Sequence, residues 1–244
     1  MTLGLPPTIR ACLFDLDGVV TRTAAQHATA WKTMFDRFLA DYAPDQRPFG
    51  IEDDYVRYVD GRKRLDGTRA FLVSRGIDLP EGTPDDTLAD HTVLGLSNAK
   101  NTLVLRLIED EGVEVFDDAV AYVTALRAAG LPRAVVTSSA NAQQVLEVTG
   151  LAPLFDTRVD AVVAAERGLA GKPSPDTFLA GADLLGVAPG EAAVFEDALS
   201  GVEAGRAGGF GFVVGVDRVG QAAALTEHGA DVVVTALTDL QDLS

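Results

Sequence analysis

The chain has 244 residues, 47% hydrophobic and 23% charged, which excludes a disordered polyelectrolyte and allows a full hydrophobic core in one or two domains. Its formal net charge of −16 argues against nucleic acid or anionic membrane as a partner, so any anionic ligand must be met by a local cluster of basic residues. The single cysteine, Cys12, excludes an intramolecular disulfide. No apolar run approaches the roughly 18 residues that span a bilayer, and MTLGLPPTIR lacks the order of a signal peptide, so a cytoplasmic protein is expected.

In chain order, Ile9–Phe14 reads as a buried strand that ends in Asp15 and Asp17, one residue apart and followed by Gly18. Two carboxylates so placed repel each other unless a cation or a shared proton compensates. From Thr23 to about Gly112 the pattern is helical. Trp31, Met34, Phe35, Phe38 and Leu39 recur at i, i+3, i+4, i+7 and i+8, one apolar helical face. Its predicted partners are the stretches Ala70–Val73 and Leu103–Ile108.

Beyond residue 110 short apolar runs alternate with helices. The spacing predicts a helix over Ala119–Ala129, a strand in RAVVTSS, a helix over Ala142–Val148 and a strand over Val159–Val163. A helix over Asp176–Leu185, a strand in AAVFEDA, a helix over Ala198–Ala207 and strands in FGFVVGV and DVVV follow. Such alternation means βαβ units and a parallel sheet. The expected fold is α/β, a Rossmann-like parallel-sheet core of residues 1–22 and 113–244 with an all-helical cap of residues 23–112 inserted after the first strand.

Open parallel sheets bind ligands beyond the carboxyl ends of their strands. Three apolar runs here end in polar groups: Asp15 and Asp17; Thr137, Ser138 and Ser139; Glu196 and Asp197. GKPSPD adds Lys172 in a proline-flanked loop before a helix. Four carboxylates at one edge call for a bound divalent cation, and an oxygen-only donor set beside a lysine and a hydroxyl favours Mg²⁺ and a phosphoryl group. Each motif alone has a plainer explanation: DLDG as a turn, FED as a helix cap. A calcium loop fails because Leu13 occupies the first ligand position, and GLAGKPS lacks P-loop spacing. The four clusters in this order make the functional reading the stronger one.

These motifs, DLDGV, TSS, GKPSPD and FED with a helical insert after the first, resemble the haloacid dehalogenase superfamily of phosphotransferases and, within it, the β-phosphoglucomutase-like subfamily. The resemblance implies Asp15 as the nucleophile that forms an aspartyl-phosphate and Asp17 as the general acid and base. Ser138, with Ser139 beside it, and Lys172 would bind the phosphoryl oxygens. One Mg²⁺ per chain would be held by Asp15, the main-chain carbonyl of Asp17, Glu196 and Asp197. In the cap, Thr23, His27 and Lys100 match positions at the hinge or near the sugar, and Arg64 in DGRKRLDG matches an arginine that clamps the phosphate not being transferred. Cap closure would exclude water. Trp31 taken alone reads as core packing.

The implied activity is conversion of β-D-glucose 1-phosphate to glucose 6-phosphate through a β-glucose 1,6-bisphosphate, by a monomer whose only partner is a small sugar phosphate. Asp17 favours phosphate-ester chemistry over dehalogenation, because a sugar alkoxide benefits from an acid and a halide does not. One departure stands out: Ala140 and Asn141 follow the second motif, where mutases of this subfamily commonly have Ser and Lys. A sugar-phosphate phosphatase is therefore the alternative. A receiver-like module phosphorylated at Asp15 is a remoter one, since receivers are about half this size and carry no inserted cap.

Overall fold

The computed structural model describes residues 3–242. The chain divides into two compact units, one formed by the residues up to Arg22 together with those from Val113 onward, the other by Thr23–Gly112. After β1 (Ala11–Phe14) come the helices of the second unit, α1 (Ala24–Tyr42), α2 (Arg64–Ser74) and α3 (Val93–Glu111). The first unit resumes with α4 (Asp117–Ala128), β2 (Arg133–Val136), α5 (Ala142–Val148), β3 (Thr157–Val159), α6 (Ala161–Glu166) and α7 (Asp176–Leu184). It closes with β4 (Ala192–Glu196), α8 (Leu199–Ala207), β5 (Phe212–Val216), α9 (Ala222–Glu227) and β6 (Val232–Val234).

All strand pairs are parallel, in the order β3-β2-β1-β4-β5-β6. Both faces of such a sheet are covered by helices, which explains why β1, β2 and β4 are apolar without alternation and buried along their whole length. Phe14 of β1 stands opposite Phe195 of β4, their rings stacked at 4.3 Å, with Tyr122 of α4 against Phe195 on the same face. Leu13 and Val194 project to the other face and pack with Phe178 of α7 and Val202 of α8. The strand expected over Val159–Val163 is corrected: β3 ends at Val159, and the Asp160 carboxylate accepts a hydrogen bond from Val163 N at 2.9 Å and caps α6. A side-chain cap of this kind stabilises a helix start by about 1 kcal/mol, enough to turn an ambiguous apolar run helical.

Where the chain leaves and re-enters this unit, Arg22 N donates to Glu114 O and Phe116 N to Val20 O, both at 2.9 Å. The guanidiniums of Arg22 and Arg218 lie 4.3 and 3.9 Å from the centre of the Phe116 ring.

The helical unit has its own core. The α1 face of Trp31, Met34, Phe35, Phe38 and Leu39 is buried against Phe71 and Leu72 of α2 and Val93 and Leu96 of α3. Phe35 lies 4.0 Å from Phe71 and 5.3 Å from Trp31, ring centre to ring centre. Between α1 and α2 the residues Ile51–Val59 wind as a π-helix, which no sequence period announced. The segment is pinned by the buried Asp54, which accepts from Arg47 at 2.8 Å and Arg75 at 2.6 Å. Among the described residues, no helix is long and apolar enough to cross a membrane.

Candidate active site

The strand order reverses direction between β1 and β4, the switch point at which open parallel sheets bind ligands beyond their carboxyl ends. Asp15 follows β1 directly and Glu196 ends β4, so the switch point carries a carboxylate on each side. Alternation along a strand puts Asp15 on the face of Leu13 and Glu196 on the face of Val194, the face covered by α7. Lys172, in the loop before α7, reaches the same point. Its ammonium donates to Asp15 Oδ1 at 2.5 Å, Glu196 Oε2 at 2.6 Å and Val136 O at 3.3 Å, and lies 4.8 Å from the Phe178 ring centre.

All three groups are nearly inaccessible: Asp15 is 5% exposed, Lys172 2% and Glu196 0%. One ammonium cannot neutralise two carboxylates. Burial pushes the Asp15 carboxyl above its ordinary value, against the pull of Lys172. Glu196 is pushed up to about 8, first by burial and then by the charge of Asp15. Burial alone would depress Lys172, but its two carboxylate partners outweigh that and hold it protonated. Ionising both carboxylates would leave the cluster short of positive charge, a condition relieved by a proton on Glu196 or by a bound cation that displaces it.

Asp197 completes such a site. One oxygen each of Asp15, Glu196 and Asp197 lie within 4.8 Å of one another. An oxygen-only, net-negative, buried donor set fits a hard divalent ion. Two glycines make room for it. A Cβ at Gly18, whose φ is +101°, would stand 1.9 Å from Asp197 Oδ2. At Gly201 of α8 a Cβ would stand 2.0 Å from Glu196 Cδ. The other Glu196 oxygen accepts from Ala198 N at 3.1 Å.

The Asp17 side chain is not part of this trio. Its Oδ2 accepts from Thr137 Oγ1 at 3.3 Å. Thr137, 2% exposed, is the first residue past β2, and it is a hydroxyl that the sequence reading left out of its phosphate-binding set. Its place as first residue beyond a strand, the same as that of Asp15, was the available signal. Ser139 builds the turn: its N–H donates to Thr137 Oγ1 at 3.1 Å, and its Oγ accepts from Asn141 N at 3.2 Å. Ser138, half-buried, sits between them.

In the helical unit, Lys100 (4% exposed) approaches His27 Nδ1 at 3.0 Å and lies 5.0 Å from the Trp31 ring centre. Arg64, the first residue of α2, donates through Nη1 to Asn101 Oδ1 on α3, while its buried Nε has no hydrogen-bond partner among the described residues. Burial, then the charges of Lys100 and Arg64, holds His27 well below the usual histidine range. Thr23, 1% exposed, precedes α1, and its carbonyl accepts from His27 N at 2.9 Å. The helical unit thus gathers Arg64, Lys100 and a neutral imidazole in a chain of net charge −16.

A model of the haloacid dehalogenase-like hydrolase family matches residues 9–209. The β-phosphoglucomutase of Mycobacterium tuberculosis is 56% identical over 245 aligned residues, covering 98% of this chain and 94% of the relative. Hexitol phosphatase A of Escherichia coli is 32% identical over 200 residues, covering 81% and 78% of the two chains. Among solved structures, β-phosphoglucomutase from Clostridium difficile matches with a TM-score of 0.73 at 23% identity over 95% of this chain and 93% of its own, a likeness of fold. With Asp15, Lys172, Glu196 and Asp197 meeting at the sheet's switch point, the chain belongs to the haloacid dehalogenase-like hydrolases, in their β-phosphoglucomutase-like branch.

Proposed function

We propose that the chain converts β-D-glucose 1-phosphate to glucose 6-phosphate by way of an aspartyl-phosphate on Asp15 and a β-glucose 1,6-bisphosphate. The observation that carries this is the 56% identity, over 98% of the chain, to the mycobacterial β-phosphoglucomutase. The contacts of Asp15 with Lys172 and of Asp17 with Thr137 support the following chemistry. An Asp15 oxygen attacks phosphorus, the bond to the leaving oxygen breaks with its electron pair, and Asp17 gives that oxygen its proton. In the return step Asp17 takes the proton of the acceptor hydroxyl, whose oxygen attacks phosphorus and frees the Asp15 carboxylate. Splitting the transfer in this way replaces one difficult displacement by two easier ones, and a positioned acid and base is worth typically ~10²–10⁴ in rate.

Thr137 steadies Asp17 through its hydroxyl. Lys172 stands against the nucleophile, and with Ser138 and Ser139 it would take the phosphoryl oxygens. One Mg²⁺ would be held by Asp15, Glu196, Asp197 and the main-chain carbonyl of Asp17, and would supply neutralisation of phosphoryl charge. Thr23, His27, Arg64 and Lys100 are assigned to the sugar and to the phosphate that stays on it. The buried Arg64 Nε, with a hydrogen to donate, supports that assignment. A cytoplasmic, monomeric enzyme is part of the same proposal.

The test is incubation with β-glucose 1-phosphate, Mg²⁺ and a trace of the 1,6-bisphosphate. Glucose 6-phosphate is the expected product; inorganic phosphate without it refutes the mutase. A phosphatase is the second reading, favoured by Ala140 and Asn141 beyond the second motif and by the 32% identity to hexitol phosphatase A.

A further inference from the structure

The loop that follows β5 takes no part in the chemistry above, yet it reaches the metal site. Asp217 follows the strand and turns the chain: its Oδ1 accepts from Val219 N at 3.1 Å, Gly220 N at 2.7 Å and Gln221 N at 2.9 Å, and its Oδ2 from Ala222 N at 3.1 Å. Arg218 braces the loop further, donating to Asp118 Oδ2 at 2.9 Å and Thr235 O at 2.6 Å. Gln221 is thereby held rigidly, and its Nε2 donates to the main-chain carbonyl of Asp197 at 2.8 Å.

We infer that Gln221 is a positioning residue for the metal site, fixing the Asp197 peptide so that its carboxylate meets those of Asp15 and Glu196. Asp197 lies in the short turn between β4 and α8, outside both elements. A change in the orientation of this peptide would move its carboxylate relative to those of Asp15 and Glu196. The hydrogen bond to its carbonyl comes from a loop that is itself locked by four main-chain N–H groups, and it opposes such a change. Groups that orient metal ligands in this way are worth typically ~10–100-fold in metal affinity. The inference rests on the metal site proposed above.

The test is the Mg²⁺ concentration that half-saturates the rise in melting temperature of the full chain, for wild type and for Gln221→Met, which keeps the length and loses the donor. The expected result is a half-saturation point raised about 10-fold or more, with the melting temperature in EDTA unchanged. A half-saturation point within twofold of wild type overturns the inference. So does a variant that melts early in EDTA, which would make Gln221 structural. If Gln221→Met does not accumulate, Gln221→Asn, one methylene short of the carbonyl, is judged by the same two readings. A wild-type chain with no Mg²⁺ response would instead count against the metal site itself.

Discussion

Replacing Lys172 by Met removes the one ammonium that stands between two buried carboxylates and leaves a side chain that still fills the space against Phe178. Glu196, pushed up to about 8, already holds a proton at pH 7 when no metal is bound. Asp15 would then have to be protonated too. Protonating at pH 7 a carboxyl whose ordinary value is 3.8 costs about 4 kcal/mol, at about 1.4 kcal/mol per unit. Breaking a buried ion pair by removing one partner costs about 3–5 kcal/mol by a separate route, and the two agree. The expected loss in EDTA is therefore about 3–5 kcal/mol at pH 7. At pH 5 the same protonation costs only about 1.7 kcal/mol, and the loss falls below about 2 kcal/mol. The sole tryptophan, Trp31, lies in the helical unit and reports on that unit. The assay is hydrogen exchange at sheet amides such as Asp15 N, which bonds Phe195 O at 2.9 Å. A loss under 1 kcal/mol at pH 7, or one that does not change with pH, would refute the reasoning. Asp15→Asn in the Lys172→Met background should recover most of the stability.

Mg²⁺ stabilisation should grow with pH. The folded value of Glu196 is raised from 4.5 to about 8, so its contribution is full below 4.5 and is lost as pH rises toward 8; the ion must displace that proton. The Mg²⁺-induced rise in melting temperature is expected to be larger at pH 8 than at pH 6, and equal rises would count against the shared site. His27 works the opposite way. Its folded value lies below the ordinary 6.5, so its contribution is full above 6.5 and is lost as pH falls below it, by up to about 1.4 kcal/mol per unit. Trp31 fluorescence during urea unfolding should show this slope between pH 6.5 and 5.5 in the wild type and a flatter one in His27→Gln; parallel slopes would remove His27 as the cause. Gly201→Ala forces a methyl group onto Glu196 Cδ, and overpacking of this kind costs about 1–3 kcal/mol. It should lower the melting temperature and weaken Mg²⁺ binding together, and calorimetry that finds Mg²⁺ binding intact would contradict the crowding seen here.

The alternation of apolar runs with helical stretches was enough to show a parallel α/β sheet, because strands covered on both faces must be continuously apolar. It also showed that Asp15, Thr137 and Glu196 stand at strand ends. The Trp31-to-Leu39 face was legible for a similar reason, since one helical period keeps those residues on one side. Local pattern misplaced β3, where a single capping bond from Asp160 outweighed an apolar run. It also missed the π-helix over Ile51–Val59, which Asp54 ties to the nearby Arg47 and to Arg75 on the far side of α2 in the sequence. Spacing along the chain cannot say which oxygens meet. Only the strand order β1-β4 brings Asp15 beside Glu196, and only the loop before α7 carries Lys172 between them. The hydroxyl that reaches Asp17, Thr137, and the amide that reaches Asp197, Gln221, were likewise decided by tertiary structure. The physical reason is one of range: hydrophobic period and helix capping act over a few residues and can be read in order, whereas a charge cluster joins side chains more than a hundred positions apart and exists only once the sheet has assembled.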